Sequence, residues 1–180
     1  MIEHKHPPTL DVKHAAHASL QLSGHDLLSN FERLVLETQG QGGENPLNWS
    51  AKFEFRSDHA GAESVWLDLK TDTCLPLVCQ RCMTPVDVVV SVDRCFRFVE
   101  TEAVALAQDD ESEEDLLVIG REFDLGALIE DEVLMDLPLV PRHQTCPVKV
   151  KLTAADADFE VVTEKPNPFA LLAQLKSDPS

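Results

Sequence analysis

Hydrophobic positions recur along this chain in two rhythms. Between Asp26 and Glu37, the residues Leu27, Leu28, Phe31, Leu34 and Val35 fall on one stripe at helical spacing, which predicts an amphipathic helix. Three later stretches alternate every second residue, as strands with one buried face do. Trp49, Ala51, Phe53 and Phe55 alternate with Ser50, Lys52, Glu54 and Arg56; Val65, Leu67 and Leu69 alternate with Trp66, Asp68 and Lys70; Val86, Val88, Val90, Val92, Phe96 and Phe98 share one parity. An antiparallel meander follows. Arg94 falls on the apolar parity of the third strand, where its head either snorkels at the sheet end or pairs with a carboxylate; snorkelling is the expectation.

Asp124 is placed to cap a second helix running to about Asp136, with Leu125, Leu128, Ile129 and Val133 inward and Pro138 and Pro141 ending it. Asn167 and Pro168 signal a last short helix that offers Phe169, Leu172 and Leu175 for docking. The Gly-rich stretch 39–43 and the acidic stretch 109–115 read as loops. The predicted fold is therefore α+β: an antiparallel meander packed with a few helices in a single domain over residues 25–176, preceded by a partly ordered leader over 1–24 and followed by a disordered tail over 177–180.

Composition supports a packed body. A chain of 180 residues suits one domain, and at that length roughly 70% of the unfolded surface can be buried. Hydrophobic residues make up 43%, too many for a disordered chain, while aromatics are 6% with no Tyr, so the core must rest on Val, Leu and Phe. The N-terminus lacks the apolar run of a secretory signal, and no segment approaches the ~18 apolar residues of a membrane span. A cytoplasmic protein without a membrane partner is expected.

Charge narrows the picture. The formal charge is −17, and residues 109–136 hold 12 of the 32 acids with one base, Arg121. Such a field repels phosphate backbones and attracts basic proteins. It reads either as a solvated surface that maintains solubility or as a dock for a basic partner. The consecutive Glu130, Asp131 and Glu132 splay around a helix axis, so they form an outward acidic surface instead of acid–base machinery.

Five cysteines are an odd number, and a reducing compartment disfavours disulfides. Cys79-Gln80-Arg81-Cys82 lies in a turn before a strand, and His143 and Cys146 offer two further ligands, so a Cys3His zinc site is one reading. Structural thiols beside an incidental histidine are the other. A redox role would place the first cysteine at a helix N-terminus, which this turn does not. Cys74 and Cys95 read as small strand residues, and His4, His6, His14 and His17 as incidental. No phosphate loop, nucleophile elbow or HExxH motif occurs, and no catalytic residue is identified.

Three stretches together resemble the YceD family of large ribosomal RNA subunit accumulation proteins. They are Cys79-Gln80-Arg81-Cys82 with Pro85, the run from Phe123-Asp124-Leu125 through Ile129-Glu130-Asp131-Glu132-Val133 to Leu137-Pro138-Leu139-Val140-Pro141, and the tail Lys165-Pro166-Asn167-Pro168-Phe169-Ala170-Leu171-Leu172. The resemblance implies a non-catalytic assembly factor that supports synthesis, processing or accumulation of large-subunit ribosomal RNA on the precursor subunit. Relatives carry two further cysteines after the helix, as in Cys-Pro-x-Cys-Gly, whereas this chain has Cys146-Pro147 with His143 nearby.

An acidic factor of this kind is expected to bind a basic ribosomal or assembly protein through Glu130, Asp131, Glu132 and Asp136, joined by Asn167 and Phe169. Direct RNA contact would require Arg81, Arg94, Arg97 and Arg142 to gather into a basic patch. The alternative is a zinc-stabilised interaction module unrelated to ribosomes.

Overall fold

A computed structural model of the chain describes residues 2–57 and 63–149. In chain order these residues form β1 (Ile2–His4), β2 (Thr9–Leu10), α1 (Val12–His17), β3 (Gln21–Leu27), α2 (Glu32–Glu37), β4 (Pro46–Ser57), β5 (Glu63–Val78), β6 (Pro85–Val99), α3 (Glu102–Gln108), β7 (Asp115–Val118), β8 (Phe123–Asp124) and α4 (Leu125–Met135). Six strands form one sheet in the order β1-β3-β4-β5-β6-β7, and β2 pairs with β8 apart from it. The expected antiparallel meander is β3 to β6, and β1 and β7 add parallel edges. The class is α+β, and residues Met1–Val148 form one unit.

Register turns the sequence alternation into two unlike faces. Val65 lies opposite Phe98, and Leu67 opposite both Phe53 and Phe96, so one face is a continuous apolar layer. Helices α1 and α4 cover it, burying Val12, Ala15, Ala16, Leu125, Ile129 and Val133 in the same core. Phe123, at the end of β8, meets Phe98 edge-on at 5.3 Å between ring centroids. The other face is polar, with rows such as Lys52–Asp68–Cys95 and Glu54–Trp66–Arg97.

Strand β5 outruns its apolar pattern. Thr71 and Thr73 occupy buried positions because their hydroxyls donate to the carbonyl oxygens of Asn48 (2.9 Å) and Pro46 (3.0 Å). Strand β4 begins at Pro46, so beyond this point β5 pairs with β6 alone and the two form an arm through Val78 and Pro85. Pro76 sits on that open edge, where a missing N–H costs no ladder bond. The loop before β4 covers it closely: a Cβ at Gly42, whose φ is +67°, would stand 2.6 Å from the Pro76 ring. Leu75 and Leu77 are buried, so the arm extends the core.

The helix expected over Asp26–Glu37 is shorter, and β3 runs on into Leu27. The cause is Asp26. Its buried carboxylate accepts from the Leu27 N–H (2.7 Å) and the Asn30 side chain (2.5 Å), which folds Leu28–Asn30 into a 3-10 turn, and it lies 2.6 Å from His6 Nδ1. His6, read as incidental, thus ties the first residues to the body. The first 24 residues supply β1, β2, α1 and most of β3, with Val12, Ala15, Ala16 and Leu22 in the core.

Helix α4 follows expectation: Asp124 Oδ1 accepts from the Ala127 N–H at 3.0 Å, and Leu125, Ile129 and Val133 are fully buried. The acidic stretch 109–115 continues α3 as a 3-10 turn and ends on the first residue of β7. The last expected helix, with Asn167 and Phe169, and the domain limit at 176 lie outside the described residues. No described helix is long and apolar enough to cross a membrane.

Candidate metal centre and charged surfaces

The tip of the β5–β6 arm is a tight turn built by Cys79-Gln80-Arg81-Cys82. The Cys79 N–H donates to Thr84 O (2.9 Å) and the Met83 N–H to Cys79 O (2.8 Å), with Met83 in the left-handed region at φ +59°. The second half of the site arrives from α4. Pro138 and Pro141 prevent the helix from continuing, and the Gln80 N–H donates to Pro141 O at 2.9 Å, which draws the following strap across the tip. Two and five residues later the strap delivers His143 and Cys146.

The structure therefore brings the four predicted ligands together. The sulfur atoms of Cys79, Cys82 and Cys146 and a ring nitrogen of His143 all lie within 4.8 Å of one another, and Cys82 Sγ is 3.4 Å from His143 Nδ1. A tetrahedral zinc ion with Zn–S bonds of about 2.3 Å would hold its sulfurs roughly 3.8 Å apart, so a small contraction closes the site. Three soft thiolates and an imidazole match zinc and exclude the oxygen-preferring magnesium and calcium.

The surroundings favour the thiolate at Cys79 and Cys82 and disfavour it at Cys146. Burial pushes the Cys79 thiol up, but the backbone N–H groups of His143, Arg81 and Cys82 outweigh it and bring the value down to about 5. The Thr84 hydroxyl chiefly lowers Cys82. Burial raises Cys146, opposed by Arg81. His143 is raised, chiefly by its hydrogen bond with Cys79.

Arg81 braces this centre. Its Nε donates to Cys146 Sγ at 3.0 Å, and Nη2 donates to the carbonyl oxygens of His143 (2.9 Å) and Gln144 (3.2 Å). With a divalent cation bound, three thiolates would leave one excess negative charge, which this guanidinium would offset while it orients His143 and Cys146. The sequence offered one clue, an arginine between the two cysteines, and the RNA reading passed over it.

Arg94 and Arg97 do not join Arg81 in a basic patch, because the length of β6 separates them. Arg142 is exposed beside the tip. Arg94 lies nine residues along the strand from Pro85, roughly 30 Å away at the rise of an extended chain, and Arg97 projects from the opposite sheet face. Arg97 is also engaged: it pairs with Glu114 and donates to Gln108 (3.1 Å) and Ser112 (2.9 Å), pinning the acidic crossover to the sheet.

The outward acidic surface expected on α4 is corrected in the same way. Arg33 of α2 donates to Glu130 through its backbone N–H (2.7 Å) and Nε (2.8 Å), and it pairs with Asp131. Glu132 is 6% exposed and its Oε2 lies 3.7 Å from Arg94 Nε, so Arg94 pairs with a carboxylate after all. Burial pushes the Glu132 carboxyl up, with Arg94 opposing. Asp136 remains exposed at the helix end, as do Asp109, Asp110, Glu111 and Glu113 in the crossover. Cys74 is half-buried, and Cys95 donates to Asp68 at 3.2 Å while accepting from Arg56.

Comparison with known proteins places the chain in a family. The family model described as "Large ribosomal RNA subunit accumulation protein YceD" matches residues 67–176, more than half of the chain, and includes all four metal-centre residues. A protein of that name from Haemophilus influenzae is 44% identical over 57 residues, which cover 31% of this chain. The chain thus spans a third of the length of that relative, 33%. No solved structure matches.

Proposed function

Because this chain belongs to the YceD family, we propose that it is a non-catalytic cytoplasmic factor in ribosome biogenesis that supports synthesis, processing or accumulation of large-subunit ribosomal RNA. The family match over residues 67–176 carries this reading. The factor acts by binding a basic ribosomal or assembly protein on the precursor large subunit. Its exposed carboxylates speak for such a partner: Asp109, Asp110, Glu111 and Glu113 stand in solvent and Asp136 at the end of α4, where opposite fields speed encounter. Asn167 and Phe169 complete the contact, and Glu130, Asp131 and Glu132 serve it by holding α4 against Arg33 and Arg94. RNA contact, where it occurs, is confined to Arg142 at the tip.

Zinc held by Cys79, Cys82, His143 and Cys146 supplies a structural cross-link between the β5–β6 tip and the strap after α4, adding to the burial of Leu75 and Leu77 farther down the arm. The donor set also favours a second reading, a zinc-stabilised interaction module whose partner lies outside the ribosome. Sedimentation of extracts from cells lacking the protein separates the two. A fall in large subunits relative to small ones, with precursor ribosomal RNA accumulating, is expected; an unchanged ratio with normal precursor RNA leaves only the second reading. Elemental analysis of protein purified under reducing conditions should find one zinc per chain, and Cys79→Ser with Cys82→Ser should lose it.

A further inference from the structure

The strap that reaches the metal tip leaves apolar side chains in water. Leu139 is 99% exposed and Val140 58%, although both follow directly on a helix that is packed into the core. Beside them Leu77, Leu134, Leu137 and Pro141 line a groove of about 590 Å3, together with Glu37 and Gln80. Leu36 and Met135, each at the last turn of its helix, are exposed nearby. An open apolar cluster of this kind marks an interaction surface.

Charge says what fits it. Helix α2 ends at Glu37 and α4 at Met135, so the partial negative charge of two helix C-termini lies at the groove, and neither helix has a basic residue in its last turn. Glu37 and Asp136 add two exposed carboxylates, and no cation lines the groove. An apolar floor under a negative rim repels a phosphate backbone and accepts a segment that is apolar on one side and cationic on the other.

We infer that this groove is the docking site for an amphipathic, Lys/Arg-rich segment of the partner protein. The inference rests on the reading that the partner is a basic protein, and adds where it is gripped. Apolar side chains of the segment seat against Leu77, Leu137 and Leu139, while its cations face Glu37, Asp136 and the two helix ends. The crossover carboxylates steer the partner in from a distance, and the groove holds it. Because Gln80 and Cys146 fix the strap to the metal tip, the metal centre sets the width of the groove.

The test titrates zinc-loaded full-length protein with two labelled peptides of about 16 residues, long enough to form a helix. Both are composed of Leu and Lys, one with the leucines on a single helical face and one scrambled, and binding is read by fluorescence anisotropy. The striped peptide should bind at least about tenfold more tightly, the worth of burying roughly one apolar side chain. Leu139→Asn with Val140→Asn should erase that margin with the melting temperature unchanged, since both side chains already lie in water. Asp109→Asn, Asp110→Asn, Glu111→Gln and Glu113→Gln combined should weaken both peptides alike.

Equal binding of the two peptides, or a margin that survives the double substitution, overturns the groove; if the crossover variant still weakens both, the basic-partner reading stands without it. Failure of both peptides to bind at low salt overturns both readings. A wild-type dimer in sedimentation that the double substitution converts to monomer makes a second copy of this chain the occupant and likewise overturns the proposal.

Discussion

Helix α4 and the crossover between β6 and β7 are both rich in carboxylates, yet the fold treats them in opposite ways. On α4, Glu130 and Asp131 are taken by Arg33, and Glu132 is buried against Arg94. In the crossover a single arginine, Arg97, anchors Glu114 and leaves Asp109, Asp110, Glu111 and Glu113 in solvent. A run of acids in a sequence is therefore a statement about composition, and only the positions of the few arginines decide which of them reach the surface as field. In this protein the acids of α4 hold secondary structures together, and the acids of the crossover are available for encounter.

That contrast can be broken by substitution. The largest effect should come from Arg94→Ala, which strips a buried carboxylate of its partner. Removal of one member of a buried pair is strongly destabilising, but Arg94 is about half exposed, so a loss of roughly 2 kcal/mol near neutral pH is expected by chemical denaturation. A wild-type midpoint would show that solvent alone supports Glu132.

Titration should sharpen the same point with a smaller effect. Glu132 holds its proton more tightly in the fold than in the unfolded chain, because burial raises it above the ordinary value of 4.5. Above that value the unfolded chain sheds the proton first, so this group subtracts stability as pH rises toward its folded value. Glu132→Gln should therefore gain on the wild type as pH rises above about 4.5, read as a growing difference in melting temperature, and a constant difference would refute the burial effect. The smallest effect belongs to the crossover. Replacing Asp109, Asp110, Glu111 and Glu113 with their amides should leave stability within about 0.5 kcal/mol, and a large change would mean that these groups are structural as well.

Much of the fold could be read from the chain because its period-two segments bury one face only. Trp49 to Phe55 and Val86 to Phe98 announce their strands, and Asp124 announces α4 by its cap. Four features were hidden for physical reasons. Thr71 and Thr73 carry hydroxyls that bond to backbone carbonyls inside the core, so the sixteen-residue length of β5 does not show in apolar spacing. Asp26 stops the first helical stripe by turning the chain, which periodicity alone does not reveal. The candidate ligand cluster was legible as residue types, since Cys79, Cys82, His143 and Cys146 converge, but the brace supplied by Arg81 depends on a strap that reaches the tip only in three dimensions. The pairing of Arg33 with α4 is likewise invisible across a sequence separation of 97 between Arg33 and Glu130.

The proline on the free side of the β5–β6 arm has a last implication. A long ribbon of two strands would ordinarily invite a neighbour to zip on through its main chain, the first step toward fibrils. Pro76 withholds the donor such zippering needs, and the loop at Gly42 lies over the same stretch. Recognition along this side is thereby left to side chains, so a partner must present a shaped surface, and promiscuous β-addition in a crowded cell is shut out.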